Sequence, residues 1–133
     1  MNILQTIYMN FFTIGALIAF IMYLLAALFL LTIPKKTSAT FYVGLTLLIM
    51  SFLCLGYFIA AFFYVESAAY HRWLTVASSL FAAIPAMQVF FHYPVLIKPK
   101  LARIIQIIQW VYNIAIVGYF IQATYGAPTV YHF

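Results

Sequence analysis

Seven ionised side chains are all that this 133-residue chain can present to water: six Lys or Arg and a single acid, Glu66. Soluble domains carry charge on about a quarter of their residues. Here charged residues make up 5% and hydrophobic ones 68%. A charged shell cannot be assembled from so few groups, and only helices or closed barrels satisfy the backbone inside a bilayer. The long uninterrupted apolar runs select helices, so the chain is expected to be an all-α, polytopic integral membrane protein of one domain. The net charge of +5 does not point to nucleic acid, because the cations are few and confined to short linkers, where they act as topology signals. Cys54 stands alone in an apolar run, without a disulfide or CxxC partner, and reads as a small packing residue.

About 20 apolar residues cross roughly 30 Å of hydrocarbon, and four stretches meet that need: 11–33, 40–64, 73–91 and 104–121. Pro34-Lys35-Lys36 stops the first, and Thr37-Ser38 supplies a cap for the second. His92-Tyr93-Pro94 ends the third, and Gly126-Ala127-Pro128 lies beyond the fourth. The N-terminal residues lack the positive n-region of a signal peptide, and the apolar stretch after them exceeds an h-region. The first span is therefore expected to stay in the membrane.

A charge at the bilayer centre costs about 2.5–3.5 kcal/mol, so Glu66 and Arg72 belong at an interface, bracketing the link between spans two and three. Lys35 and Lys36 lie in the first linker, and Lys98, Lys100 and Arg103 in the third. Five cations on one side against Arg72 on the other place the five in the cytoplasm, beside anionic lipids, and both chain ends outside. A bacterial inner membrane fits this pattern. Tyr64, Tyr70, Trp73, Tyr93 and Trp110 fall near the expected interfaces or in the last helix, as aromatic belts do.

Two clusters are candidate sites. Glu66, His71 and Arg72 form either a solvated turn, where an exposed ion pair contributes about 0–1 kcal/mol, or an outward sensing or ligand-contact point. The second reading draws on the imidazole, a group that titrates between about pH 5 and 8. Gln106, Gln109 and Asn113 are spaced by three and four, which sets three amides on one helical face. Such a face is inter-helix glue, a polar ligand pocket or an oligomer seam. Small residues at Ser78/Ala82/Ala86, Gly15/Ala19 and Gly56/Ala60 suit close helix approach, and Pro85 is expected to bend the third helix.

No span holds an Asp, Glu, Lys or Arg well inside, which argues against a pump, an ion-coupled carrier or a retinal protein. His71 and His132 fall on the expected outer side and His92 on the inner, so no helix-embedded pair is available for haem. Three scattered histidines without Cys or acid ligands do not make a zinc site. No cofactor, metal or catalysis is expected.

The strings AAYHRWLTV (Ala68 to Val76), QVFFHYP (Gln88 to Pro94), KPKLARII and the final VYHF together resemble the N-terminal membrane region of certain multi-span, spirochaete-type bacterial signalling proteins. Those join such a region to an adenylate/guanylate cyclase, a SpoIIE-like phosphatase or a histidine kinase, and the resemblance runs from about Thr37 to Phe133. It implies a membrane-embedded sensory or regulatory input module, with chemistry done by a cytoplasmic domain. Four spans with an external N-terminus are expected to leave both ends outside, so such an effector requires a further span. The alternative is a small accessory subunit of a larger membrane complex, docking through the amide face and small-residue stripes.

Topology is testable directly. In a Cys54→Ala chain, a cysteine within residues 66–70 should react with a membrane-impermeant thiol reagent in intact cells. One at Thr37 or Ile97 should react only after permeabilisation; the reverse pattern overturns the orientation.

Overall fold

The computed structural model describes residues 7–128. They form four long helices: α1 (Phe11–Thr32), α2 (Ser38–Phe62), α3 (His71–His92) and α4 (Pro99–Gly126), with a 3-10 turn (Glu66–Tyr70) leading into α3. All four are long and apolar enough to cross a membrane, and the chain is an all-α, multi-pass membrane protein. At 1.5 Å per residue, the 22 residues of α1 span about 33 Å.

Local chemistry sets the helix ends. The Asn10 side chain accepts from the Thr13 N–H at 2.8 Å, and the Thr37 hydroxyl from the Thr40 N–H at 3.1 Å, so α1 and α2 are both capped. Helix α1 stops two residues short of Pro34, which disfavours helical backbone in the residue before it. The ammonium of Lys36 then donates to the Leu31 carbonyl, one of the acceptors left open at that end. Helix α4 opens with Pro99 in its first turn, where a missing N–H costs nothing. It runs to Gly126, so it takes up the whole stretch to the breaker and exceeds the expected 104–121 at both ends. The stretch expected as a wet loop at 66–72 is helical from Glu66 onward.

Among the described residues, each helix packs only on its neighbours in the chain: α1 on α2, α2 on α3, α3 on α4. The result is an open row with α1 and α4 at its edges, and α3 and α4 share the least extensive seam. Burial is inverted relative to a soluble protein. Thr13, Ser51, Thr75, Ser78, Gln88, Asn113 and Thr124 are buried, while Phe12, Phe29, Phe90, Ile108 and Tyr119 are exposed. Lipid is as apolar as leucine, so large hydrophobes gain nothing by leaving it, and polar groups collect inside. Hydroxyls within the helices bond back to their own turn: Thr46 donates to Tyr42 O at 2.8 Å and Ser51 to Leu48 O at 2.6 Å.

Close approach between α2 and α3 is set at Gly56, where an added Cβ would lie 2.6 Å from Cγ2 of Thr75. At Gly15 nothing lies within 4 Å of such an atom, so Gly15 faces open space and sets no close helix approach. Of the third-helix stripe, Ser78 and Ala82 are buried. The contrast gives a prediction. Gly56→Ala should destabilise the protein by about 1–3 kcal/mol through overpacking, read as thermal unfolding in detergent. Adding Thr75→Ser, which deletes Cγ2 and keeps the hydroxyl, should recover most of it, and Gly15→Ala should be harmless.

Candidate functional site

At the end of the row that carries the sole acid, α2 gives way to an extended stretch at residues 63–65, and Tyr8 N–H donates to Phe62 O across it at 2.9 Å. The chain then turns through Glu66–Tyr70, with Ala68 N–H donating to Val65 O at 3.0 Å. This folds Glu66 and His71 onto one cavity of about 260 Å³, walled also by Ala60, Phe63 and Tyr64. Arg72, next along α3, is half-buried and lies outside those walls. So two of the three residues singled out here share the cavity, and the third is not among its walls.

The state of His71 follows from its contact. Its Nδ1 lies 2.7 Å from the carbonyl oxygen of Ala68. A carbonyl only accepts, so Nδ1 carries the proton, and in the neutral ring Nε2 is left as an acceptor. Glu66 thus brings a carboxylate and the neutral His71 ring an acceptor to a cavity walled also by the rings of Phe63 and Tyr64, a lining suited to ligand groups that donate. His71 and Arg72 also sit in the first turn of α3, where the helix dipole disfavours added positive charge, and the Glu66 carboxylate at the same end offsets it.

The amide face of α4 meets α3. The only residues of α4 that are buried are Ala102, Asn113 and Thr124, each eleven positions from the next, which is three turns of helix. Every one takes a hydrogen bond from or to α3. Gln88, 1% exposed, donates through Nε2 to Ala102 O at 3.0 Å. Asn113 donates through Nδ2 to Leu80 O at 2.7 Å. Trp73 donates through Nε1 to the Thr124 hydroxyl at 3.0 Å, and that hydroxyl donates to Ile121 O at 2.6 Å. The middle rung lands beside the carbonyl of Phe81, the one that Pro85 cannot bond. Trp73 is flanked by the rings of Tyr70 at 5.0 Å and Tyr125 at 5.5 Å, and Phe81 meets Trp110 at 5.2 Å.

The three amides predicted to act together divide. Asn113 bonds across the seam, and Gln106 lines a cavity at the basic end. Gln109 has a buried Oε1 with no hydrogen-bond partner. Sequence reasoning gave no role to Gln88 or Thr124, although the eleven-residue spacing of Ala102, Asn113 and Thr124 was there to be read. No group of three or more His, Cys, Asp or Glu is placed to hold a metal among the described residues. His132 lies outside the described residues, as does the string at 130–133.

Opposite signs are expected at neighbouring amides. Asn113→Leu breaks a rung and should destabilise by about 0.6–1.7 kcal/mol. Gln109→Leu removes a buried unpaired acceptor and should be neutral or stabilising. Unfolding of both variants in detergent checks the pair. No protein-family model matches the chain, and no curated protein or solved structure shows significant similarity to it.

Proposed function

We propose that the chain is a membrane-embedded sensory or regulatory module, without catalysis of its own, that reads a ligand or ion at the Glu66/His71 cavity and answers by moving α4 against α3. The observation that carries this reading is the position of α3. Its first residue, His71, walls the cavity, and its body holds all three donors or acceptors that tie α4 in place. A rearrangement that begins at the cavity therefore acts directly on the element that fixes α4.

The seam suits displacement. A few discrete hydrogen bonds, with the aromatic contacts of Trp73 on Tyr125 and Phe81 on Trp110, give a contact with a small number of alternative registers, the kind of element that switches by shifts of about 1–2 Å. The unpaired Gln109 Oε1 is a buried acceptor whose desolvation costs about 1–3 kcal/mol. That cost falls away in a register that supplies Gln109 with a donor. An orientation with the cavity outside and the basic end in the cytoplasm, in a bacterial inner membrane, fits the charge asymmetry and belongs to the same proposal.

The test measures the seam itself. Spin labels at Ala83 and Ile108, both exposed positions, report the α3–α4 distance in a Cys54→Ala background. Glu66→Gln and His71→Gln should each shift the distance distribution by about 1–2 Å, and Phe90→Leu on the lipid face should not. Distributions unchanged in both cavity variants would sink the reading.

A further inference from the structure

All of the chain's cations except Arg72 lie at the end opposite Glu66, and there is no second acid to balance them. No acid of the sequence lies at that end, so it is net positive and attracts anions. The structure gives this charge a shaped recess. Between α2, α3 and the start of α4, Tyr42, Gln88, His92, Arg103 and Gln106 line a cavity of about 180 Å³. It shares Tyr42 and His92 with a neighbouring recess that reaches Lys36, and Arg103 with another that reaches Lys100.

We propose that this recess binds the phosphate of an anionic phospholipid headgroup. The polar lining is rich in donors: the Arg103 guanidinium, the Tyr42 hydroxyl and the Gln106 amide. Arg103 offers the planar fork that suits phosphate oxygens. His92 is held in place on two sides. Its Nδ1 lies 2.8 Å from Gln88 O, and its ring stands 4.7 Å from that of Tyr42. Gln88 is fixed in turn by its bond to Ala102 O, so the α3 side of the recess, His92 and Gln88, is held by other contacts.

Two sources could bring a phosphate there, a lipid or a free anion, and the rim decides between them. Leu96 lines the central recess, Phe41 the one towards Lys36 and Ile104 the one towards Lys100, and all three are exposed. Cations and exposed hydrophobes thus line the same adjoining recesses, a pairing that matches an amphiphile. The proposal also differs from diffuse attraction to a charged surface. Lys35 and Lys98 belong to the same basic end but line none of these recesses.

The experiment uses the full chain in uncharged maltoside micelles doped with phosphatidylglycerol or phosphatidylcholine, with retained lipid measured by native mass spectrometry. Phosphatidylglycerol should be retained in preference. Arg103→Gln, at an exposed position that leaves the fold intact, should weaken retention about five- to tenfold, the effect of roughly one cation at an anionic headgroup. Tyr42→Phe and Gln106→Leu, which change no charge, should also weaken it, and Lys35→Gln should have less than half the effect of Arg103→Gln. Equal losses for Lys35→Gln and Arg103→Gln, with the neutral variants silent, would reduce the recess to part of a diffuse basic surface. Displacement of phosphatidylglycerol by millimolar inorganic phosphate would show a free-anion site and overturn the lipid assignment. Because the assay reads only lipid, its outcome is independent of whether the Glu66/His71 cavity senses anything.

Discussion

A polar group inside hydrocarbon has no water to fall back on, and the arrangement of α3 and α4 follows from that single constraint. In a soluble bundle, two helices meet because their apolar faces leave water together. Here the apolar faces of α4 are better left on lipid, and Ile104, Ile107, Ile108, Val111 and Ile114 are all exposed. What remains to bring α4 to α3 is van der Waals contact and three hydrogen bonds, from Gln88, Asn113 and Trp73. Pro85 contributes to the same logic from the other side, since it disturbs the backbone ladder of α3 next to the carbonyl that Asn113 reaches. The seam between α2 and α3 obeys a different rule. It closes on the absence of side chains, with Gly56 admitting Thr75.

Charge is segregated as sharply as polarity is internalised. The one carboxylate lies with Arg72 at one end of the row, and the other five cations lie at the opposite end. Each end therefore has a chemical bias that the helices themselves lack: the Glu66/His71 cavity offers acceptors, and the Arg103/Tyr42/Gln106 recess offers donors. The two biases are also separated by the length of α3, roughly 30 Å from His71 to His92. A field from one end is weak at the other, so influence between them travels through helix position.

The membrane class and the four helices were legible because they rest on long-range averages, the scarcity of charge and the length of apolar runs. Helix ends were less so. The 3-10 turn at Glu66–Tyr70 arises where Ala68 is buried against its neighbours, and short polar sequence there reads as a loop until that packing is known. The amide face at Gln106, Gln109 and Asn113 was legible as a face, because helical spacing fixes which residues share a side. Its division was not. Whether an amide finds a partner depends on which carbonyl of α3 stands opposite, and only the register between the helices decides that. Gln88 escaped notice for the same reason, being one polar residue in an apolar helix whose acceptor lies 14 residues further along the chain. Glycine showed a similar limit: the small-residue spacing at Gly15/Ala19 equals that at Gly56/Ala60, yet only Gly56 meets another helix.

One structural element belongs to both proposed sites, and that has a thermodynamic consequence. His71 at the start of α3 walls the acidic cavity, and Gln88 and His92 near its end wall the basic recess. Gln88 is also the rung that holds the start of α4 through Ala102. A phospholipid bound between His92 and Arg103 joins α3 to α4 at that rung and favours the register in which both residues face it. A ligand at Glu66 and His71 that favours a different register then competes with the lipid, and one that favours the same register cooperates with it. By linkage the effect is reciprocal, so lipid composition would set the affinity of the cavity by the same factor by which the ligand alters lipid retention. On this reading the two ends, chemically opposite and too far apart to feel each other's charge, communicate through the three hydrogen bonds that α4 needs in order to pack at all.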